Sequence, residues 1–188
     1  MSINRIDNIF SQKEIEHINN IILESPKTIH KALGRFEVSG ISKSLFPETL
    51  EKLNNIAKSF SDLPLSMDHA MAVEYSPLYG KPVLWPHRDG DRNDMIINIQ
   101  LKSNTVWDMG LNLETYTLKD NSALVFNGNT ETHWRVHKEF KNEEYVRMMF
   151  VRFFRADNRS DYSYLPNNPE DPIFSKEVEF RDSLGIFK

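Results

Sequence analysis

The sequence contains no cysteine. Disulfide bonds, iron–sulfur clusters, zinc ribbons and thiol nucleophiles are therefore excluded, and any bound metal ion has to be held by His, Asp or Glu side chains. No apolar run approaches the roughly 20 residues that a membrane-spanning helix needs. The polar N-terminus also lacks the apolar core of a signal peptide. We therefore expect a cytoplasmic protein with no membrane partner.

The chain also has no excess of positive charge. Its 188 residues carry a net charge of −4 with a pI near 5.9, and apolar residues make up an ordinary 39%. No global field attracts a polyanion, so the composition argues against a nucleic-acid partner and favours a small-molecule or peptide substrate. The length fits one domain with a sizeable core, and we assign residues 1–188 to it.

Residues 1–64 are predicted to form a helical support. Ser11 with Glu14 three positions later is a capping box, and the isoleucines that follow have helical spacing. A second helix is predicted to begin at Pro47, a residue type favoured in the first helical turn. A short strand is expected around Phe36 and Val38. The apolar face of the second helix would consist of Leu50, Leu53, Ile56 and Phe60.

From residue 65 the segments become short, rich in β-branched and aromatic residues, and separated by turn signals. Strands are predicted at residues 68–75, 83–88, 94–101, 106–118, 123–127 and 145–154. Helices followed by closely spaced strands indicate a mainly β core over residues 65–155, with the N-terminal helices packed outside it. Residues 156–188, with three prolines among acids and asparagines, are expected to wrap the surface.

A histidine followed two positions later by a carboxylate occurs twice, at His87-Asp89 and at His137-Glu139. The first pair ends a predicted strand, where residues i and i+2 point to the same side. The second lies in the charged stretch 135–144, which is predicted to be a solvated loop. His133, after the strand at 123–127, can add a third ligand. Two imidazoles and one carboxylate form a facial triad with open metal positions.

Residues 70–155 resemble the 2-oxoglutarate- and iron(II)-dependent dioxygenases of the prolyl-hydroxylase type. The resemblance lies in four motifs in a fixed order, namely Tyr75-Ser76-Pro77, His87-Arg88-Asp89, the strand 123–127 with Gly128 before His133, and a basic residue on the last strand. It implies a double-stranded β-helix (jelly roll) and a hydroxylase. The implied cofactors are iron(II), 2-oxoglutarate as cosubstrate, and O2, with His87, Asp89 and His133 binding the metal.

The resemblance also implies residues that bind the cosubstrate. Its far carboxylate needs a cation, and Arg147 near the start of the last strand is the candidate. Arg152 is the alternative, although five residues further on it should face the other side of the strand. Tyr75 matches a position whose hydroxyl often contacts the cosubstrate. From the strand pattern alone, Asn98 is a further candidate, because its amide within an apolar strand needs a hydrogen-bond partner, either 2-oxoglutarate or a neighbouring strand.

Arg135 and Trp107 are expected near the mouth of the site, as candidate substrate contacts. Two other functions remain open from the sequence. One is a cupin-like metalloenzyme that has similar ligands but does not use 2-oxoglutarate. The other is a non-catalytic β-sandwich binding module whose histidines are structural.

Overall fold

The structure, a computed structural model, describes residues 3–89 and 93–155. Its α-helices are α1 (Gln12–Glu24) and α2 (Pro47–Phe60), and three short 3-10 helices lie at Lys31–Leu33, Ile41–Ser44 and Pro77–Tyr79. Its strands are β1 (Asn4–Asp7), β2 (Thr28–His30), β3 (Arg35–Val38), β4 (Leu65–Tyr75), β5 (Met95–Ser103), β6 (Met109–Leu111), β7 (Glu114–Tyr116), β8 (Ser122–Phe126), β9 (His133–Arg135) and β10 (Val146–Arg155). In this part of the chain no helix has both the length and the apolarity to cross a membrane.

Both helices begin where the sequence predicts. At α1 the hydroxyl of Ser11 accepts a hydrogen bond from the backbone N–H of Glu14, and the Glu14 carboxylate accepts one from the backbone N–H of Ser11, so the capping box is confirmed. Pro47 occupies the first turn of α2. The Glu14 carboxylate is buried and also accepts hydrogen bonds from Thr49 and Lys52 of α2, at 3.0 and 2.6 Å. It therefore joins the two helices.

Two antiparallel sheets form the body of the protein. The larger has seven strands in the order β1-β8-β5-β10-β4-β3-β2, and the smaller has three in the order β7-β6-β9. Alternate side chains of the larger sheet point to opposite faces. One face packs on the helices, through residues that include Met149, Val151 and Phe153 of β10. The other face packs on the smaller sheet, through residues that include Val73, Tyr75, Ile96, Leu124, Phe126 and Met148.

The strands differ from the prediction in three places. The predicted strand 106–118 is a hairpin, because Asn112 adopts a left-handed conformation (φ 54°) between β6 and β7. Residues 83–88 form no regular strand and contribute one isolated bridge at His87. The support 1–64, predicted as helical with one short strand, also contains β1 and β2, which form the two edges of the larger sheet. The predicted wrap 156–188 lies outside the described residues.

Glu14→Gln is expected to lower the free energy of unfolding by about 1–3 kcal/mol at pH 7. Burial alone would raise the pKa of Glu14, but its hydrogen bonds, that from Lys52 foremost, lower the pKa from 4.5 to about 2. Because the native pKa is depressed, the carboxylate stabilises the fold above pH 4.5 and loses this contribution as the pH falls towards 2. Urea denaturation at pH 7 and pH 3 measures both values.

The difference in the free energy of unfolding between the Glu14→Gln variant and the wild type should therefore be smaller at pH 3 than at pH 7. Glu16→Gln, at an exposed position of the same helix, is the control and should change the free energy of unfolding by less than about 0.5 kcal/mol. An equal effect of Glu14→Gln at both pH values would show that its charge does not stabilise the fold.

Candidate metal centre

Two backbone hydrogen bonds bring His87 beside His133. The N–H of each donates to the carbonyl of the other, at 3.0 and 2.9 Å, so the irregular segment before His87 pairs with the start of β9. The N–H of Asp89 donates to the carbonyl of Gly128 at 2.9 Å. Backbone hydrogen bonds thereby bring His87 and Asp89 next to His133, which is distant in the sequence.

The three side chains converge on one point. The Nε2 atom of His87 lies 3.5 Å from Oδ1 of Asp89, and Nε2 of His133 lies 3.3 Å from Oδ2 of the same carboxylate. One donor atom from each residue lies within 4.8 Å of the others, and no second cluster of three or more such residues occurs in segments 3–89 and 93–155. Atoms at this spacing can bind one metal ion on one face.

The second nitrogen of each imidazole is held by a backbone carbonyl. Nδ1 of His87 lies 2.7 Å from the carbonyl of Trp85, and Nδ1 of His133 lies 3.2 Å from that of Glu131. A carbonyl only accepts, so each Nδ1 carries a proton, and Nε2 is the atom that faces the Asp89 carboxylate. This orientation is that of a metal-binding histidine whose outer nitrogen is fixed by hydrogen bonding, with Nε2 as the atom that a metal ion would bind.

The charges in the cluster support one another. Burial alone would raise the pKa of Asp89, but the imidazoles of His133 and His87 outweigh it and hold that pKa well below its usual range. Burial alone would lower the pKa of His87, but the Asp89 carboxylate outweighs it and raises that pKa. The carboxylate is therefore ionised at neutral pH, as a metal ligand has to be.

The cluster lies at a cavity of about 580 Å³ between the two sheets. Apolar and aromatic side chains form much of the wall, with a few charged groups among them. The lining residues besides the three candidate ligands are Leu33, Arg35, Glu37, Ser39, His69, Met71, Tyr75, Leu84, Trp85, Ile96, Phe126, Phe150 and Arg152. A mainly apolar cavity with a few convergent polar groups is typical of a small-molecule site.

Arg147, predicted to hold the cosubstrate, is not brought to this cavity, which is a correction to the sequence interpretation. Its Nε and Nη2 atoms donate to one carboxylate oxygen of Glu74, at 2.8 and 2.6 Å, and Nη1 donates to Asn19 of α1. The reason is strand parity, since Arg147 shares the helix-facing side of β10 with Met149 and Val151.

Arg152, the alternative cation, does line the cavity. It shares the inner side of β10 with Met148 and Phe150, as the alternation of the strand requires. Its Nε atom is buried and has no hydrogen-bond partner among the described residues. The two arginines face opposite sides of β10, as alternation predicts, but the one on the cavity side is Arg152 and not Arg147.

Tyr75 lines the cavity and is fully buried. Its hydroxyl accepts a hydrogen bond of 2.8 Å from Nη1 of Arg35, a residue that the sequence analysis did not single out. Nε of Arg35 is buried without a hydrogen-bond partner in the described segments, and its Nη2 lies 3.5 Å from Glu37. The alternation of β3 could have identified Arg35, because Phe36 and Val38 face the helices and leave the other side to Arg35.

Asn98 is buried on the inner face of β5, but it does not line the cavity. Its amide nitrogen donates to Sδ of Met109 at 3.0 Å, across the gap between the sheets. Its Oδ1 has no hydrogen-bond partner within the described part of the chain. The structure therefore places Asn98 in the packed interior beside the cavity.

Arg135 and Trp107 also lie in the interior, and not at the mouth as predicted. Arg135 belongs to β9 and not to a solvated loop. Trp134 beside it packs so closely on Gly110 that a Cβ there would be 2.0 Å from the indole, and alternation then turns Arg135 inward with His133. Its guanidinium donates to the carbonyl of Trp107 and to Sδ of Met148.

Burial lowers the pKa of Arg135 from 12.5 to about 10, so it remains a cation at neutral pH. Its guanidinium lies 5.1 Å from the ring centroid of Trp107, and that ring meets Tyr75 edge to face at 4.9 Å. Arg35 lies 5.5 Å from the ring centroid of Tyr75. The two arginines therefore flank a pair of aromatic rings at one end of the interior.

His137 and Glu139, the second histidine–carboxylate pair, lie apart from the cluster. Nε2 of His137 is 3.2 Å from Glu139, which also pairs with Lys81 at 3.1 Å. Glu139 is 76% exposed, so its pair with Lys81 is a surface ion pair.

Comparison with known proteins identifies the fold. No protein-family model matches the chain, and no curated protein matches it. Several solved structures do. The non-heme alpha ketoglutarate dependent epimerase SnoN from nogalamycin biosynthesis has a TM-score of 0.66 at 9% identity, over 82% of this chain and 78% of that one.

HygX from Streptomyces hygroscopicus, with nickel and 2-oxoglutarate bound, has a TM-score of 0.60 at 7% identity, over 82% of this chain and 83% of that one. A Pseudomonas putida prolyl-4-hydroxylase has a TM-score of 0.61 at 11% identity, over 81% and 92%. Identities this low show the fold alone. The predicted fold, a mainly β double-stranded β-helix (jelly roll) with flanking N-terminal helices, is confirmed.

Replacing a candidate ligand should abolish tight metal binding. We expect His133→Ala and Asp89→Ala to weaken iron(II) binding by about 100-fold or more, because each removes one of three donors. Anaerobic calorimetric titration with iron(II) measures the affinity. His137→Ala and Glu139→Ala, at the same spacing on the surface, are the matched controls and should leave the affinity unchanged. Equal affinities for all four variants would place the metal elsewhere.

Proposed function

We propose that the protein is a non-haem iron(II) oxygenase that uses 2-oxoglutarate and O2 to hydroxylate a small-molecule or peptide substrate. The observation that carries the proposal is the cluster of His87, Asp89 and His133, with both Nδ1 atoms bonded to carbonyls and both Nε2 atoms directed at one ionised carboxylate. This donor set is typical of iron(II) oxygenases and leaves positions for a chelating cosubstrate and O2. The shared fold supports the same reaction class.

The protein's own residues hold and shield the site. The imidazoles are fixed by the carbonyls of Trp85 and Glu131, so the ligand geometry exists before the metal binds. Phe126 packs 5.0 Å from His133 and keeps water away from that side of the cluster. Iron(II) with 2-oxoglutarate and O2 supplies an oxidant strong enough to remove hydrogen from an unreactive C–H bond.

The far carboxylate of 2-oxoglutarate is proposed to bind Arg35 and Tyr75. Both line the cavity that contains the metal ligands, and the buried Nε of Arg35 lacks a partner within the described residues. A carboxylate there can accept hydrogen bonds from the Arg35 guanidinium and from the Tyr75 hydroxyl. Arg135 adds a second positive charge from behind the aromatic rings, where its guanidinium is close enough to interact electrostatically with Tyr75.

The cupin-like metalloenzyme is the second candidate, since it needs the same three ligands. Arg35 and Tyr75 on the cavity wall favour the oxygenase, because they can bind the far carboxylate of a diacid that also chelates the metal. The non-catalytic binding module is the third candidate. Three convergent donor atoms, with both imidazoles fixed by backbone carbonyls, argue against it.

Asp89→Ala should abolish consumption of 2-oxoglutarate, lowering the rate of succinate formation by at least about 1000-fold, because the metal is no longer held in a reactive geometry. The measurement is succinate formation under O2 with iron(II) and ascorbate. Glu139→Ala is the control and should retain the wild-type rate. Undiminished succinate formation by the Asp89 variant would refute its role as a ligand. A wild type that binds iron(II) but never binds 2-oxoglutarate would favour the cupin-like enzyme.

Arg35→Gln should weaken 2-oxoglutarate binding by about 10- to 100-fold, the loss expected for one charge-assisted hydrogen bond. The visible absorption of the anaerobic iron(II)–2-oxoglutarate complex, titrated with the oxo acid, gives the dissociation constant. Arg147→Gln is the comparison, and we expect it to reduce stability through the loss of the Glu74 pair while leaving that constant within about twofold. The reverse result would restore Arg147 as the cosubstrate residue.

A further inference from the structure

Within segments 3–89 and 93–155, Arg152 is a cation on the wall of the cavity without a counterion. Its Nε is buried and unpartnered, and no carboxylate among the described residues lies within ion-pair distance of it. Glu37, which lines the same cavity, pairs instead with Arg35 and His30, each at 3.5 Å. A partly buried guanidinium is costly unless an anion or hydrogen-bond acceptor reaches it. Because Arg152 lines the cavity, an anion bound there can reach it.

Strand pairing links Arg152 to the surroundings of the metal ligands. Arg152 pairs with Ile96 of β5, and Ile96 pairs with Phe126, whose ring lies 5.0 Å from that of His133. The carbon that reacts has to be near the metal, so a group bound by Arg152 is close to the reacting part of the substrate. Its position therefore suits a substrate-binding role.

The Arg35–Tyr75 pair lies further along the sheet. Arg35 pairs with Tyr75 at one end of β4, whereas Arg152 pairs with His69, whose backbone is about 20 Å away along the strand at the usual rise of about 3.3 Å per residue. The long Arg35 side chain nevertheless extends towards the metal ligands, since its charge counteracts the rise in the pKa of His87. 2-Oxoglutarate uses one carboxylate to chelate the metal and therefore has one carboxylate free for one arginine. The other arginine is left for a second anion.

The neighbour of Arg152 does not supply that anion. Burial and the positive charge of Arg152 both lower the pKa of His69, so its imidazole is neutral at pH 7 and can only donate or accept a hydrogen bond.

The cavity of about 580 Å³ is within the range for one drug-sized ligand, which is room for a five-carbon diacid and a second compact molecule.

We propose that the substrate is a small carboxylic acid and that Arg152 binds its carboxylate beside the metal. The proposal rests on the proposed function, since it assigns the second of two anion subsites in the same cavity. A carboxylate fits the planar guanidinium in a two-point hydrogen bond, which would fix the substrate's orientation as well as its position. Arg152 is then the residue that selects acids over neutral compounds of the same shape.

The test is a metabolite panel in which carboxylic acids are matched with their carboxamides and with carboxylate-free compounds of similar size. Succinate formation by the iron(II)-loaded protein reports which compounds stimulate turnover. We expect stimulation by a free acid and at least about 10-fold less by its amide. Arg152→Gln should raise the KM for that acid by about 10- to 100-fold, and Arg152→Lys should restore part of the loss.

Anaerobic titration of 2-oxoglutarate separates this proposal from the function on which it rests. Arg152→Gln should leave the dissociation constant of 2-oxoglutarate within about twofold. The control Lys102→Gln, which removes an exposed cation from β5, should change neither that dissociation constant nor the KM for the acid. The proposal is wrong if no acid stimulates turnover, if amides or peptides stimulate equally, or if Arg152→Gln weakens 2-oxoglutarate binding instead. A wild type that binds neither iron(II) nor 2-oxoglutarate refutes the proposed function itself.

Discussion

The backbone pairing of His87 with His133 is the interaction on which the site depends. These two residues exchange hydrogen bonds of 3.0 and 2.9 Å, although the segment before His87 forms no regular strand. Because main-chain atoms make the pairing, the two backbones lie side by side whatever the neighbouring side chains are, and the carbonyls of Trp85 and Glu131 then orient the imidazoles. The backbone N–H of Asp89 donates one hydrogen bond to the carbonyl of Gly128. The ligand geometry is thus a property of the sheet, and the metal would join a cluster that is already formed.

The charges of the cavity follow from the same arrangement. The ionised Asp89 faces its two histidines, and Glu37 pairs with Arg35 and lies 3.5 Å from His30. Within residues 3–89 and 93–155, positive charge without a paired carboxylate then lies on the cavity wall at Arg152, and in the packed interior at Arg135. Such charges favour the binding of anions in the cavity. That property connects the packing of the two sheets with the chemistry proposed for the cavity.

The sequence predicts features that depend on near neighbours. The capping box at Ser11, the start of α2 at Pro47 and the two-residue period of the long strands are local, and the structure has all three. The surroundings of Arg147 could not be predicted, because its partner Glu74 is distant in sequence. Nor could the strand containing Arg135, since three residues give too little periodicity to distinguish a strand from a charged loop.

Alternate residues of β10 have different roles, because one set packs on the helices and the other lines the cavity. Met149 and Val151 pack on the helices, so replacing either one is felt as a loss of stability. Phe150 and Arg152, their immediate neighbours, line the cavity and touch little of that core. In a lineage of such proteins, substrate preference can therefore change at every second position while the positions between them keep the chain folded. The ten residues of β10 therefore contain both the positions that keep the fold and the positions at which function can diverge.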